Sequence, residues 1–409
     1  MNVIFISPNF PLYYWNFCDR LKKRGVNVLG IGDASYDSMS HHCRNSLTEY
    51  YKVNSLENFD EVYRAAAFFA YKYGKIDWIE SENEYWLETE AALREEFNVT
   101  TGTKISDMAC MKYKSKMKAV YEKAGIKACR YHLVNDYESC LKFLNEVGFP
   151  VVVKPDNGVG ASATYKLKSL DEFNYFYSTK PDIQFIMEEF VPGHVETFDG
   201  ITNSKKEILI CSSHKMDVSI MDSVNEAADA LFHSQKADEM DIYEIGKRTV
   251  EAFDTRSRYF HFEFFRLDED KEGLGKKGDL LGLEVNMRAP GAYMPDMLNW
   301  ACDVDVYDIW AEMLINDTKD YHYNRKYSVG YVGRHNQNQY KYSYEELRHM
   351  FGNDIMMEVE VPEALSAAMG NHTFIFRHED EAEMLKIMNT IVEKMKKAVM
   401  GNRFLLEFG

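Results

Sequence analysis

The 409-residue chain is short of several things at once. It has only 9 prolines, an odd 7 cysteines with no CxxC pair, and a formal net charge of -17. Scattered, unpairable cysteines (Cys18, Cys43, Cys110, Cys129, Cys140, Cys211, Cys302) argue against a disulfide framework and for reduced thiols in a cytoplasmic setting. His41-His42-Cys43 lacks the paired spacing of a zinc site and reads as a polar turn. The deficit of positive charge excludes a broad nucleic-acid surface, which clustered Lys and Arg would have to supply. No apolar run reaches the roughly 20 residues that span a bilayer, and MNVIFISPNF reads as a first strand rather than a signal peptide, so no membrane role is expected. After VIFI comes SPNFPLYYW, without the GxGxxG of a dinucleotide site, and GxxxxGK[ST] does not occur beside Lys154.

What is present is 45% hydrophobic and 28% charged, with no low-complexity tract, an ordinary globular profile of two or three domains. Residues 2–100 alternate short apolar runs (VIFI, VNVLGIG, IDWIE) with amphipathic stretches, the rhythm of βαβ units in a small doubly wound domain. A Lys-rich helix is predicted over 107–123, stopping at Ala124-Gly125. From 136 to 190 the order helix, strand, glycine loop, strand, helix, strand predicts a compact α+β lid. SRYFHFEFFRLD and GDLLGLEVNM predict a long hairpin, and 380–399 an amphipathic packing helix.

Three stretches carry chemistry. In FPVVVKPDNGVGAS a β-branched strand delivers Lys154 beside Gly158 and Gly160, whose backbone N–H groups can approach an anion; read alone, a surface lysine before a turn fits as well. QFIMEEFVPGHVE runs an apolar strand into Glu188 and Glu189, placed to read an amine or ribose, or simply to leave the core through an acidic turn. In LLGLEVNMR, Glu284, Asn286 and Arg288 share one strand face, as His261 and Glu263 do on the partner strand. Two carboxylates and an amide oxygen form a hard donor set that suits Mg²⁺ or Mn²⁺ with phosphate oxygens as further ligands. His261 itself reads as a satisfied core histidine, and no general base stands out.

In their order, from residue 1 to about 315, these motifs resemble the ATP-grasp superfamily. The resemblance implies an α/β and α+β architecture: an N-terminal doubly wound domain over 1–105, a nucleotide-binding lid over 106–194, and a C-terminal part over 195–409 with the metal site and an α+β extension. It implies ATP and Mg²⁺ (or Mn²⁺). Lys114 matches the first phosphate-contacting lysine, with Lys112 and Lys116 as alternative registers, and Lys154 matches the second. Gly158, Gly160, Ala161 and Ser162 match the phosphate-covering loop, Glu188, Glu189, Phe190 and Val191 the adenine-reading hinge, and Glu196 the ribose acid, one residue later than usual. Glu263, Glu284 and Asn286 match the metal ligands; Arg288, with Lys154, matches the groups that act on the transferred phosphoryl.

The implied reaction is ATP-dependent activation of a small carboxylate, an amino acid or peptide-like acid, as an acyl phosphate for attack by an amine. The alternatives are bicarbonate activation, as in carboxylases and carbamoyl phosphate synthases, and a non-catalytic ATP-binding regulator. Tyr293, Arg334 and His335 join Arg288 as candidate acceptor contacts, and a homodimer is compatible with the sequence.

Overall fold

Three sheets carry the strand pattern of the computed structural model, which describes residues 1–158, 163–218, 228–318 and 321–395. The first is parallel, in the order β3-β2-β1-β4, from β1 (Asn2–Ile6), β2 (Asn27–Gly32), β3 (Glu49–Lys52) and β4 (Trp78–Glu80). Val3 to Ile6 are wholly buried, as a strand covered on both faces requires. The helix Phe59–Tyr73 is set by Asn58, whose side chain accepts the Glu61 N–H, and it stops at Gly74 with φ 85°. Strand order reverses between β1 and β4, and the carboxyl ends of strands at such a point form a crevice where ligands settle in open α/β sheets. The acids Glu80, Glu82 and Glu84 leave β4 there.

The second sheet, antiparallel in the order β5-β8-β6-β7, contains β5 (Tyr131–Leu133), β6 (Val151–Pro155), β7 (Tyr165–Leu167) and β8 (Phe185–Glu189). Helices Tyr137–Val147 and Leu170–Thr179 cover it through Phe143, Leu144, Phe173 and Phe176, which pack on Val151, Val153 and Met187. This is the compact α+β unit expected from the sequence. Of the predicted phosphate-covering loop, Gly158 is described; Gly160, Ala161 and Ser162 lie outside the described residues.

The third sheet has eight antiparallel strands, β13-β12-β9-β10-β11-β14-β16-β15, with β9 (Gly193–Thr202), β10 (Ile208–Met216), β11 (Ala230–Gln235), β12 (Arg258–Leu267), β13 (Leu280–Asn286), β14 (Ser328–Arg334), β15 (Ile355–Glu360) and β16 (His372–His378). β12 and β13 form the expected hairpin. Alternation along β12 separates two environments. Phe260, Phe262 and Phe264 join Phe198 and the helices of residues 105–123, whereas Tyr259 packs in the core shared with Phe5 and Phe17 of the first sheet's domain. The C-terminal helix spans Glu381–Ile391, capped by Asp380, and buries Met384, Ile387, Met388 and Ile391 in the expected packing role, but it ends at its C-cap, Val392, rather than running on through 393–395; 396–399 lie outside the described residues. Among the described residues no helix is long and apolar enough to cross a membrane, and all seven cysteines are free thiols.

Two local predictions need correction. The Lys-rich helix is two helices, Ile105–Lys112 and Lys114–Lys123, broken at Tyr113. The break has a cause in Asp156 at the end of β6: its carbonyl accepts the Lys114 N–H at 2.9 Å, and its carboxylate accepts the Ser115 N–H at 2.8 Å and hydroxyl at 2.7 Å. A cap from a distant segment replaces the helix's own continuation. Residues 41–46 form a short helix rather than a turn, with Ser40 as its N-cap.

Candidate active site

Register across the large sheet decides which side chains can meet. Glu263 lies directly opposite Glu284 on β13 and opposite Thr197 on β9, while His261 lies opposite Asn286 and Asp199. Direct antiparallel partners point to the same face, so Glu263, Glu284, Asn286, His261 and Asp199 form one polar patch.

Lys114, at the first position of the second helix, places Nζ 3.1 Å from Glu284 Oε1 and donates to the Gly158 carbonyl at 2.9 Å. Of the three possible registers this is the one that reaches the patch: Lys112 turns to the Glu84 carbonyl at 3.1 Å and Lys116 is exposed. Lys154 Nζ, from β6, meets Glu188 Oε2 at 2.8 Å, and Lys118 Nζ meets the other oxygen of Glu188 at 3.0 Å. Burial would raise the Glu188 carboxyl, but Lys118 and then Lys154 hold it down at about 2. Glu284 moves the opposite way. Burial pushes it above the usual carboxylate range, Lys114 opposes, and the nearby charges of Glu263 and Glu84 push with burial.

Glu263 is held below that range against burial, because His261 Nε2 lies 3.2 Å from it. His261 in turn has Asp199 on Nδ1, and Asp199 also takes His214 Nδ1 at 2.8 Å. Asp199 outweighs burial and lifts His261 to about 9. The histidine is satisfied, as expected, yet both of its partners, Asp199 and Glu263, belong to the patch. Arg288 Nη2 pairs with Glu84 Oε2 at 3.0 Å, which keeps the guanidinium protonated despite burial.

Among the described residues no three His, Cys, Asp or Glu side chains gather in a way that could hold a metal. The donor set is thus two carboxylates and the Asn286 amide, and the unfavourable proximity of Glu263 and Glu284 is what a divalent cation would relieve.

No family model matches the chain. Over 254 residues it is 26% identical to the L-arginine-specific L-amino acid ligase of Bacillus subtilis, covering 58% of this chain and 57% of that protein, so it spans little more than half of that relative. The structure of an L-amino acid ligase from Bacillus licheniformis superposes with a TM-score of 0.71 at 13% identity, over 94% of this chain and 96% of that one. N5-carboxyaminoimidazole synthetase from Staphylococcus aureus gives 0.71 at 13% identity, over 96% and 97%. The chain has the ATP-grasp fold.

Within the ATP-grasp frame, Lys114, Lys154, Gly158, Glu188, Glu263, Glu284 and Asn286 come together, with Arg288 at the edge. Glu189 ends β8 and Phe190 follows it. Arg130 makes two bonds of 2.8 Å to Glu189, Lys271 lies 3.3 Å from it, and Lys166 stands 3.9 Å above the Phe190 ring. Val191 is buried with Leu267, Leu274 and Leu281.

Glu196 is not brought to the patch. It pairs in register with Phe264, on the opposite face from Glu263, and its carboxylate is held by Arg266 at 2.8 Å and His194 at 3.3 Å. Arg334 is also used elsewhere, donating to the Ile391 carbonyl at 2.7 Å and the Tyr342 carbonyl at 2.9 Å between two tyrosine rings, while the His335 N–H donates to the Tyr340 hydroxyl at 2.9 Å in the same layer. Tyr293 packs on Tyr13 with ring centroids 4.6 Å apart.

Sequence reasoning missed Lys118, Asp199, Glu82 and Glu84. Lys118 had a signal, since it stands four residues after Lys114 on the same helix face. The two glutamates had none, because their contacts with the strand end at 288–289 span more than 200 residues.

Proposed function

We propose that this protein is an ATP-dependent carboxylate–amine ligase. A substrate carboxylate oxygen attacks the γ-phosphorus as the bond to ADP breaks; an amine then attacks the acyl carbon, phosphate leaves, and the amine gives up a proton. The observation that carries this reading is the Lys114–Glu284 ion pair beside the facing Glu263, with Lys154 and Arg288 close enough for their charges to act on Glu263.

Phosphoryl transfer asks chiefly for positioning and charge neutralisation, and this set is built of groups that provide both. Lys114 and Lys154, each on a rigid element and partly shielded from water, would hold phosphate oxygens. Glu188, clasped by Lys118 and Lys154, fixes the Lys154 ammonium at the floor of the lid. Glu263, Glu284 and Asn286 would hold Mg²⁺, which when bound neutralises charge on the phosphates. Arg288 would steady the transferred group, and the backbone after Glu189 would meet the adenine. Glu196, turned to the other face, has no part in this scheme.

Similarity to two L-amino acid ligases supports an amino acid as one substrate. The test is ADP release by purified protein with Mg²⁺ and ATP against amino acids singly and in pairs, with bicarbonate apart and Glu284→Ala as control. Release that needs both a carboxylate and an amine, and is lost in the control, is the expected outcome. Release with bicarbonate alone would replace the ligase by a bicarbonate-activating enzyme; tight ATP binding with no turnover would replace it by a regulator.

A further inference from the structure

The segment WIESENEYW leaves β4 with three alternate acids, one of which grips β12 and the other two the segment that follows β13. Glu80 takes Arg258 Nη2 at 3.3 Å and Arg94 Nη2 at 2.9 Å. Glu84 takes Arg288 Nη2 at 3.0 Å. Glu82 Oε2 accepts the N–H of Ala289, the residue after Arg288, at 2.7 Å.

Glu82 is held at some cost. Its φ of 53° lies in the left-handed region, which disfavours a side chain. It is wholly buried, and Oε1 has no hydrogen-bond partner among the described residues. The Tyr14 hydroxyl pins its main-chain carbonyl at 2.7 Å. What this arrangement delivers is one hydrogen bond to Ala289, and Ala289 is not a bystander. Its carbonyl accepts Arg288 Nη1 at 2.9 Å, so the residue fixed by Glu82 through its N–H fixes the guanidinium through its C=O. Pro290 follows, with no N–H of its own and a restricted φ, and makes the short path from Glu82 to the guanidinium stiff.

We propose that Glu82 is a positioning residue that sets, through Ala289, where the Arg288 guanidinium is presented to the reacting groups. The inference rests on the ligase reading for the role of Arg288, but not for the contact itself. The first sheet's domain thereby becomes part of the reaction centre, since its acids orient the arginine from across the domain boundary. Burial first, and the charge of Glu80 next, push the Glu82 carboxyl up to about 8, with Arg258 opposing and Glu90 adding to the rise. A carboxyl that keeps its proton at neutral pH is mimicked closely by a glutamine amide.

The experiment compares wild type, Glu82→Ala and Glu82→Gln in the full chain by two readouts. Backbone hydrogen exchange over residues 287–293 is expected to quicken about tenfold in Glu82→Ala, as for one lost hydrogen bond, and to return to the wild-type rate in Glu82→Gln. In steady-state ADP release, kcat is expected to fall by roughly 10- to 100-fold in Glu82→Ala with the KM for ATP within about twofold, and to recover to within about threefold in Glu82→Gln. Unchanged exchange and unchanged kcat in Glu82→Ala would overturn the proposal. So would a Glu82→Gln protein with wild-type exchange and the low kcat of Glu82→Ala, because Glu82 would then act through its proton. A wild type that releases no ADP would sink the ligase reading instead, and the exchange comparison would still decide whether Glu82 holds Ala289.

Discussion

Replacing Lys118 by Met tests the charge arrangement under the lid without any assumption about substrate. Lys118 Nζ lies 3.0 Å from one oxygen of the buried Glu188, whose other oxygen is taken by Lys154 at 2.8 Å. The Glu188 carboxyl is held at about 2 against an ordinary 4.5, chiefly by Lys118 once the opposing effect of burial is set aside. At about 1.4 kcal/mol per pKa unit, the full depression corresponds to about 3 kcal/mol of stability. Losing the larger of two cations while Glu188 stays buried should therefore cost about 2–3 kcal/mol, at the low end of what breaking a buried pair costs. For a chain of 409 residues unfolding as one unit, that is a fall in Tm of about 3 °C.

The sign of the pH dependence follows from the direction of the shift. Because the folded-state pKa is depressed, the stabilisation is complete above about pH 4.5 and is lost as pH falls through about 2. In Lys118→Met the Glu188 carboxyl protonates at higher pH, so the gap between mutant and wild type should be widest at pH 7 and narrow by pH 4. Thermal unfolding followed by circular dichroism at both values measures it, with Lys118→Met/Glu188→Met closing a double-mutant cycle whose coupling should be about 2 kcal/mol. Met preserves most of the lysine stem, so a loss of equal size at pH 4 and pH 7 would mean that packing, not charge, sets the cost, and the reasoning would fail.

Gly282→Ala would place a Cβ 2.8 Å from the buried Tyr121 ring, an overpacking expected to cost about 1–3 kcal/mol and to lower Tm measurably. Glu82→Gln should gain stability over wild type as pH rises: the Glu82 carboxyl, raised to about 8, makes the wild type lose stability between about pH 4.5 and 8 by up to about 4–5 kcal/mol, and the amide removes that slope. Paired melts at pH 5 and pH 8.5 decide it, and parallel curves would refute it. Nucleotide and Mg²⁺ should bind cooperatively, with calorimetry showing ADP affinity raised by at least about tenfold in the presence of Mg²⁺ and that gain lost in Glu284→Gln. Equal affinity with and without the metal would count against Glu284 as a ligand.

What could be read from the sequence was which face a side chain takes, not which partner it finds. The period of two along β12 and β13 sufficed to group Glu263 with His261, and Glu284 with Asn286 and Arg288, because that geometry is local. Lys154 was legible for the same reason, being the end of a short β-branched strand. Glu196 failed on the same rule. It stands one residue from Thr197, and that single step carries it to the face where Arg266 waits. The Lys-rich segment looked continuous because the cap that interrupts it comes from Asp156, more than 40 residues away. Arg334 ends an apolar strand in the manner of a site residue, yet its guanidinium donates to the helix carbonyl of Ile391, 57 residues further on. Nothing in local pattern distinguishes these outcomes.

The partners that the sequence could not supply share a logic. Lys114 is paired with Glu284, Lys154 with Glu188, and Arg288 with Glu84. Each cation suited to an anionic ligand is thus neutralised by an acid from another element, and one of those acids is itself suited to a metal. Such pairs let the protein bury opposing charges without leaving any of these cations uncompensated. They also set the terms of binding. On the proposed reading, a phosphate taken by Lys114 would have to displace Glu284, which is costly unless a cation takes the freed carboxylate; a metal held by Glu263 and Glu284 would have to draw Glu284 from Lys114, which is costly unless an anion replaces it. Metal and phosphate together would satisfy both demands in one exchange of partners, so these ion pairs are the physical reason to expect the proposed site to take the metal–nucleotide complex rather than either component by itself.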